Sequence, residues 1–279
     1  VASSGTGNRV MTSPDGITWT ARTSAADNAW TAVTYGGGLF VAVASSGTGN
    51  RVMTSPDGIT WTSRTSAVDN DWAAVTYGAG LFVAVATTGT GNRVMTSPDG
   101  ITWTVRTSAA DLSWRGVAYG AGVFAAVGGG VSSSAMTSPD GITWTSRTLT
   151  GTLRTWRGVI YTAGGFVAVG SGTPSTTVAT SPDGITWTTR TPGASNAWYA
   201  VAYTGSTYVA VASSGRGNRF MTSTDAITWS APVIDLSTTW TAGATDGATR
   251  VLVSRDLSLQ PSLFAVQTSG AWQPTAGPP

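Results

Sequence analysis

A single eight-residue segment, SPDGITWT, recurs along this chain and limits its fold more strongly than any other feature. It begins at residues 13, 55, 97, 138 and 181, and a diverged copy, STDAITWS, begins at residue 223. Successive copies therefore start 41 to 43 residues apart. A constant period of this size is typical of solenoids, propellers and other arrays, in which each unit buries apolar surface against its neighbours. We call the segment the turn box.

Each repeat contains four segments that are typical of β-strands. In the second copy they are residues 30–35, 39–44, 51–54 and 59–65. The second segment is apolar at nearly every position, which indicates a strand covered on both faces. Pro56, Asp57 and Gly58 suit a tight turn, so the third and fourth strands should form a hairpin. We therefore predict an all-β propeller of four-stranded antiparallel blades that stack face to face around an axis.

The turn box resembles the repeated hairpin of Asp-box (BNR) β-propellers, which carry Ser-x-Asp-x-Gly-x-Thr-Trp between the third and fourth strands of each blade. The corresponding residues of the first copy, with one residue fewer between Asp and Gly, are Ser13, Asp15, Gly16, Thr18 and Trp19. The resemblance extends over residues 1–253. Because every blade repeats the box, we expect its residues to hold the hairpins and fill the space between sheets. This structural role is predicted for Ser13, Asp15, Trp19, Ser55, Asp57, Trp61, Ser97, Asp99, Trp103, Ser138, Asp140, Trp144, Ser181, Asp183, Trp187, Asp225 and Trp229.

The two ends of the repeat region decide how the ring closes. The chain opens on a turn box without a first and second strand, and such a strand pair stands alone at residues 240–253. We predict a six-bladed ring in which the N-terminal and C-terminal strands share one blade, which leaves no exposed sheet edge. The alternative is a seven-bladed ring that lacks N-terminal strands before Val1, because residues 264–272 resemble one more degraded hairpin. The predicted domains are the propeller, residues 1–254, and a C-terminal tail or degenerate last hairpin, residues 255–279.

Several catalytic arrangements need residue types that the chain does not contain. It has no Cys and no His, its 15 cations are all Arg and its 13 anions are all Asp. Ser-His-Asp and Cys-His sites therefore cannot form. The resemblance to Asp-box propellers implies sialidase activity as a candidate, but the Tyr-Glu pair of sialidases needs a glutamate. Asp71, Asp235, Asp246 and Asp256 show no spacing that marks a glycosidase pair. We predict that the chain is not an enzyme, with a sialidase-like glycosidase as the less favoured alternative, and that it has no cofactor and no metal site.

Ligand-binding residues are expected where the repeats differ, on the face opposite the turn boxes. A loop SGTGNR, or a variant of it, precedes the third strand in four repeats, and the residue after each first-strand Trp changes between repeats. Arg and Asn beside an aromatic residue suit sugar hydroxyls and acidic glycan groups. The alternative is that each loop Arg pairs with Asp27, Asp69 or Asp111 of a connecting loop. The predicted ligand-binding residues are Asn8, Arg9, Asn50, Arg51, Asn92, Arg93, Asn218, Arg219, Arg115, Arg157 and Tyr199.

These observations favour a role in binding or display. The main prediction is an extracellular protein, or one on a virion or cell surface, that resembles lectin-like propellers and binds a glycan or another surface ligand through repeated loops. The alternative is a structural or display module of a phage particle or bacterial surface, with a surface protein or virion component as partner. No nucleic-acid partner is predicted, because the arginines are spread along the chain. No membrane span is predicted, because apolar runs such as residues 39–44 are far shorter than the about 20 residues required.

Overall fold

The computed structural model describes residues 1–129, 134–149, 154–172, 177–215 and 218–231, together with the strand backbones at 240–245, 250–254, 264–267 and 273–275. All the regular elements in these residues are β-strands. The N-terminal hairpin consists of β1 (Val10–Thr12) and β2 (Thr20–Arg22). The first complete repeat consists of β3 (Trp30–Gly36), β4 (Leu39–Ala44), β5 (Val52–Ser55) and β6 (Thr62–Arg64).

The later repeats follow the same order. They consist of β7 (Trp72–Gly78), β8 (Leu81–Ala86), β9 (Val94–Ser97) and β10 (Thr104–Arg106); β11 (Ser113–Gly120), β12 (Val123–Gly129), β13 (Ser134–Ser138) and β14 (Thr145–Thr148); β15 (Arg154–Thr162), β16 (Gly165–Gly172), β17 (Val178–Ser181) and β18 (Thr188–Arg190); β19 (Trp198–Tyr203), β20 (Tyr208–Ala212) and β21 (Phe220–Ser223); and β22 (Trp240–Thr245), β23 (Arg250–Ser254), β24 (Phe264–Gln267) and β25 (Gln273–Thr275).

Each repeat forms one antiparallel sheet whose strands pair in chain order. The sheet of β19–β21 is extended by a bridge between Thr222 and Ser230, and the sheets of β11–β14 and β15–β18 are joined by one residue pair, Gly129 and Thr155. The first strands of consecutive repeats lie side by side. They are therefore the innermost strands, and the sheets radiate from a common axis. The predicted β-propeller of antiparallel blades is confirmed.

The hydrophobic core lies between the blades. The tryptophan at the start of each innermost strand from β3 to β19 is 0–1% exposed. In the second strand β4, residues 41–44 are 0% exposed. Val41 and Val43 pack in a cluster with residues of the next repeat, and Ala42 and Ala44 pack in a cluster that includes Val10 of the N-terminal hairpin. This confirms that the second strand is covered on both faces, which is why its sequence is apolar without alternation.

The turn box is longer than the tight turn predicted from the sequence. The fourth strand was expected to begin at Ile59, whereas β6 begins at Thr62. The Oδ1 atom of Asp57 accepts hydrogen bonds from the backbone amides of Ile59 and Thr60, each at 2.8 Å. The indole of Trp61 donates to a carbonyl of the same turn at 3.0 Å. These bonds commit residues 57–61 to the turn, so the strand ladder resumes only afterwards.

The same bonds recur in the other turn boxes. Because the carboxylate accepts two backbone amides, its charged form is favoured and its pKa falls. The pKa of Asp15, Asp99 and Asp225 is lowered to about 2, first by the amide of the Thr three residues on and then by that of the intervening Ile. The ionised aspartate therefore holds each hairpin.

The closure of the ring differs from the prediction in its strand pairing. The free edge of β23 is taken by β24, and β25 continues that sheet, so the last sheet takes its outer strands from residues 264–275. The pairing of hairpin β1–β2 with the last inner pair, which the six-bladed arrangement required, is therefore wrong for this structure. The hairpin forms its own two-stranded sheet. The number of blades and the domain boundary at residue 254 stay predictions.

Candidate functional site

The predicted Asn-Arg loops lie at the end of the blades opposite the turn boxes, which we call the loop end. In the first complete repeat, Arg51 donates hydrogen bonds to two carbonyls of its own loop at 2.8 and 3.0 Å and to Asp71 at 2.9 Å. The amide of Asn28 donates to Oδ1 of Asn50 at 3.1 Å. This loop therefore ties together the connections before and after its own blade.

The other Asn-Arg loops use their side chains in the same way. Arg9 lies 3.5 Å from Asp27, and Arg93 lies 3.7 Å from Asp111. The side chains of these arginines are only 15% exposed. Within these loops Asn92 and Asn218 accept from Asn70 and Asn196, Arg219 donates to a loop carbonyl, and Asn8 precedes Arg9. The geometry is that of repeated ion pairs bracing the blades, and a ligand role for the loops stays a prediction.

Three of the predicted residues, which are 42 positions apart in the chain, come together in the structure. Arg115, Arg157 and Tyr199 directly follow the buried tryptophans of β11, β15 and β19. Each occupies a β-bulge, where the register of the inner strand shifts by one residue. A bulge re-aims the side chain of the extra residue. Because the first strands are adjacent, the three side chains form one group at the loop end, which we call the arginine cluster.

The guanidinium of Arg157 stacks on the ring of Tyr199, with its Cζ atom 4.1 Å from the ring centroid. This is a cation–π distance, and it fixes the plane of the guanidinium. Its Nε atom also points to Ser171 Oγ at 3.4 Å. The remaining nitrogen atoms of Arg157 are thereby held in one orientation.

Arg115 lies beside Arg157 without such support. It is half-buried, and its Nε atom is buried with no hydrogen-bond partner. Burial, and next the positive charge of Arg157, lower the pKa of Arg115. Throughout the described ranges, no carboxylate lies at ion-pair distance from either guanidinium. An unsatisfied cationic donor of this kind costs folding free energy, so a ligand that accepts its hydrogen bond would be bound favourably.

Glycine makes the close approach of these strands possible. A Cβ atom on Gly116 would lie 3.1 Å from the carbonyl oxygen of Arg157, and one on Gly158 would lie 3.1 Å from that of Tyr199. The other repeats have Ala in this place, and there the bulge residue differs too. In the first complete repeat, for example, Thr31 donates to the carbonyl of Trp72 at 2.7 Å. The Trp-Arg-Gly sequence was the signal that could have ranked this position above the loops.

Two neighbouring guanidinium groups, of which that of Arg157 is held against Tyr199, suit an anion. Arginine presents a planar fork of donors that matches the oxygen atoms of carboxylate, sulfate or phosphate. Of the other singled-out residues, Asp235, Asp246 and Asp256 and the side chain of Thr241 lie outside the described residues. Where side chains are described, no group of three or more His, Cys, Asp or Glu could hold a metal ion. The described part of the chain also contains no helix with the length and hydrophobicity that crossing a membrane needs.

The propeller resembles solved structures of different activity. Virginiamycin B lyase from Staphylococcus aureus superimposes with a TM-score of 0.75 at 10% identity, over 90% of this chain and 85% of the lyase. YCF48 bound to D1 peptide superimposes with a TM-score of 0.63 at 17% identity, over 88% of this chain and 84% of YCF48. At such identities the likeness shows the fold alone. No protein-family model matches the sequence, and no curated protein was found with a similar sequence.

The prediction that the chain is not an enzyme needs correction. A lyase is among the structures that share this fold, so the propeller architecture is compatible with catalysis and the prediction is wrong as drawn. It rested on missing residue types and on resemblance to a propeller hairpin, and neither feature covers every reaction that a propeller can support.

Proposed function

We propose that this propeller binds an acidic glycan through the arginine cluster. The observation that carries the proposal is the buried Nε atom of Arg115, which has no partner and lies beside a second guanidinium. A protein keeps two unneutralised cations together at a cost in stability, and an anionic ligand offsets that cost. The carboxylate of a sugar acid supplies acceptors for both groups.

Three features favour a sugar acid over a simple inorganic anion. The cluster lies at the loop end, where the repeats differ in sequence. Tyr199 and Ser171 add an aromatic surface and a hydroxyl beside the arginines. Sugar rings commonly meet such combinations of aromatic face and polar group. The YCF48 structure with a bound D1 peptide supports the general point that a propeller of this shape accommodates a ligand.

Isothermal titration calorimetry with N-acetylneuraminic acid and with its uncharged methyl ester tests the proposal. We expect binding of the acid, and we expect Arg115→Gln or Arg157→Gln to weaken it about tenfold or more, because a hydrogen bond to a charged group contributes about 1.5–3 kcal/mol. Arg147→Gln is the matched control, since its Nε atom already donates to Thr137 at 2.9 Å. Equal affinity for acid and ester, or unchanged binding by Arg115→Gln, would disprove this function.

A display module of a phage particle or bacterial surface is the second candidate. It is favoured by the hydrogen bonds of the Asn-Arg loops, which are made within the loop and to the connections between neighbouring blades. A rigid ring suits a component that carries load or presents other domains. The extracellular, virion-surface or cell-surface location belongs to both candidates. Immunogold labelling of intact particles or cells of the source would test it.

A further inference from the structure

The bulge residue of β3 carries a hydroxyl group that binds two backbone carbonyls. Oγ1 of Thr31 lies 2.7 Å from the carbonyl oxygen of Trp72 and 3.1 Å from that of Val43. Since Trp72 begins the next inner strand, this hydroxyl links two neighbouring blades. A hydroxyl is neutral and rotates to suit its acceptors, so it can serve both carbonyls. The bond shows which kind of donor a pair of carbonyls at this bulge accepts.

The bulge of the next blade has the same carbonyls but no hydroxyl. Ala73 lies in the register shift of β7 as Thr31 lies in that of β3. The equivalent carbonyls are those of Val85 and Trp114, which we call the acceptor pair. Alanine has no donor, so the acceptor pair does not receive the hydrogen bond that its counterpart receives from threonine. The side chain of Ala73 is partly exposed, so a donor from solution can approach it.

The packing of β11 on β7 repeats the packing of β7 on β3. A Cβ atom on Gly36 would overlap the ring of Tyr77, and one on Gly78 would overlap the ring of Tyr119 against the same ring atoms. The residue after the bulge is alanine in both β3 and β7. The two pairs of inner strands are therefore spaced alike, and the acceptor pair of β7 has the geometry of its counterpart at β3.

The acceptor pair adjoins the arginine cluster. One of its two carbonyls belongs to Trp114, the residue directly before Arg115. Because the inner strands lie side by side, the acceptor pair is followed around the axis by Arg115, Arg157 and Tyr199. A ligand that lies along this arc meets two acceptors, then two cationic donors, then an aromatic ring. It needs a hydrogen-bond donor on one side of its anionic group.

The donor of such a ligand has to be uncharged. An ammonium group would be repelled by the guanidinium groups of Arg115 and Arg157. Asp71 is the nearest carboxylate along the chain, and it is paired with Arg51 at 2.9 Å, so it offers little compensation. A hydroxyl has the required neutrality, and it is the donor that Thr31 already supplies to the equivalent carbonyls.

We propose that the acceptor pair is a hydroxyl subsite of the arginine cluster, and that Ala73 makes the cluster specific for acids that carry hydroxyl groups on the same ring, as sugar acids do. The inference rests on the proposed function, in which the cluster binds the carboxylate. It adds a residue that determines specificity, because threonine at this position would place the protein's own hydroxyl on the acceptor pair and exclude that of the ligand.

Isothermal titration calorimetry with N-acetylneuraminic acid tests the subsite on the unmodified protein and on Ala73→Thr. We expect Ala73→Thr to weaken binding about fivefold, since one hydrogen bond between neutral groups corresponds to about two- to tenfold in affinity. Thr31→Ala is the matched control, because it makes the reverse change one blade away, and it should leave the affinity unchanged. Cyclohexanecarboxylate, which has a ring and a carboxylate but no hydroxyl, should bind the unmodified protein about fivefold more weakly or less.

The melting temperature gives a readout that does not depend on the ligand. Ala73→Thr should melt about 1–6 °C higher than Ala73→Val, which has the same shape without the hydroxyl. Equal melting temperatures would show that the two carbonyls are already satisfied, which overturns the subsite. An affinity that Ala73→Thr leaves unchanged, a loss of the same size in Thr31→Ala, or equal affinity for the two acids also overturns it. Failure of N-acetylneuraminic acid to bind the unmodified protein would instead disprove the proposed function.

Discussion

Replacing Arg115 by methionine should stabilise this protein while it removes ligand binding. Methionine keeps the unbranched stem of the side chain and loses the guanidinium, so packing is retained. A buried donor without a partner costs about 1–3 kcal/mol. Since Arg115 is half-buried, we expect about half of this, roughly 0.5–1.5 kcal/mol, to return as free energy of unfolding. Relief of repulsion from Arg157 acts in the same direction.

The assay is thermal unfolding followed by circular dichroism. A chain of this size changes its melting temperature by about 2–4 °C per kcal/mol, so Arg115→Met should melt about 1–6 °C higher than the unmodified protein. Arg147→Met in the same sheet is the control, because its Nε atom bonds Thr137, and it should lower the melting temperature. If Arg115→Met lowers it by as much as the control does, the guanidinium is satisfied and the reasoning about the cluster fails.

Three further predictions concern the turns and the inner strands. Ala226 has a φ of 59° where the other turn boxes have glycine, so Ala226→Gly should raise stability by about 1 kcal/mol in chemical denaturation, and a loss would contradict the strain. The pKa of Asp99 is about 2 when folded, below its unfolded value, so its contribution is complete above about pH 4 and is lost as the pH falls towards 2. Melting temperatures should therefore fall over that range, and less steeply for Asp99→Asn; equal slopes would count against the turn-box bonds. Gly116→Ala should push β11 from β15 and weaken acid binding by several-fold in calorimetry while the fold persists; unchanged affinity would show that the close approach does not position Arg157.

The repeat made the fold predictable for two reasons. Its constant spacing indicates an array of equal units, and its Pro, Asp and Gly residues indicate a hairpin turn in each unit. The bounds of β4 agree with the sequence interpretation, since an uninterrupted apolar run has sharp ends. The start of β6 was placed three residues early, because Asp57 takes two backbone amides out of the ladder, and a propensity pattern does not register such bonds. The main prediction gave the last sheet the wrong outer strands because residues 264–275 have drifted from the repeat, although the alternative recognised residues 264–272 as a degraded hairpin.

The candidate site was predictable in its members but not in its assembly. Variation after the first-strand Trp singled out Arg115, Arg157 and Tyr199. The sequence alone does not indicate that residues 42 positions apart are in contact. The Asn-Arg loops attracted equal attention because they are polar and repeated. Their Asp partners were visible in the sequence, but only the geometry shows that Arg51 and Asp71 meet at 2.9 Å.

The bulge after each inner-strand tryptophan provides a position that can change in sequence without changing the strand pairing. In every repeat from β3 to β22 the register shift leaves one residue whose identity the ladder does not dictate. The chain fills these places with Thr31, Ala73, Arg115, Arg157, Tyr199 and Thr241. The residue at this position therefore differs from blade to blade, whereas the strand pairing around it is the same in each blade. Replacing one of these residues, for example Ala73→Arg, would change the side chains presented at the loop end while the strand pairing of the blade stays the same.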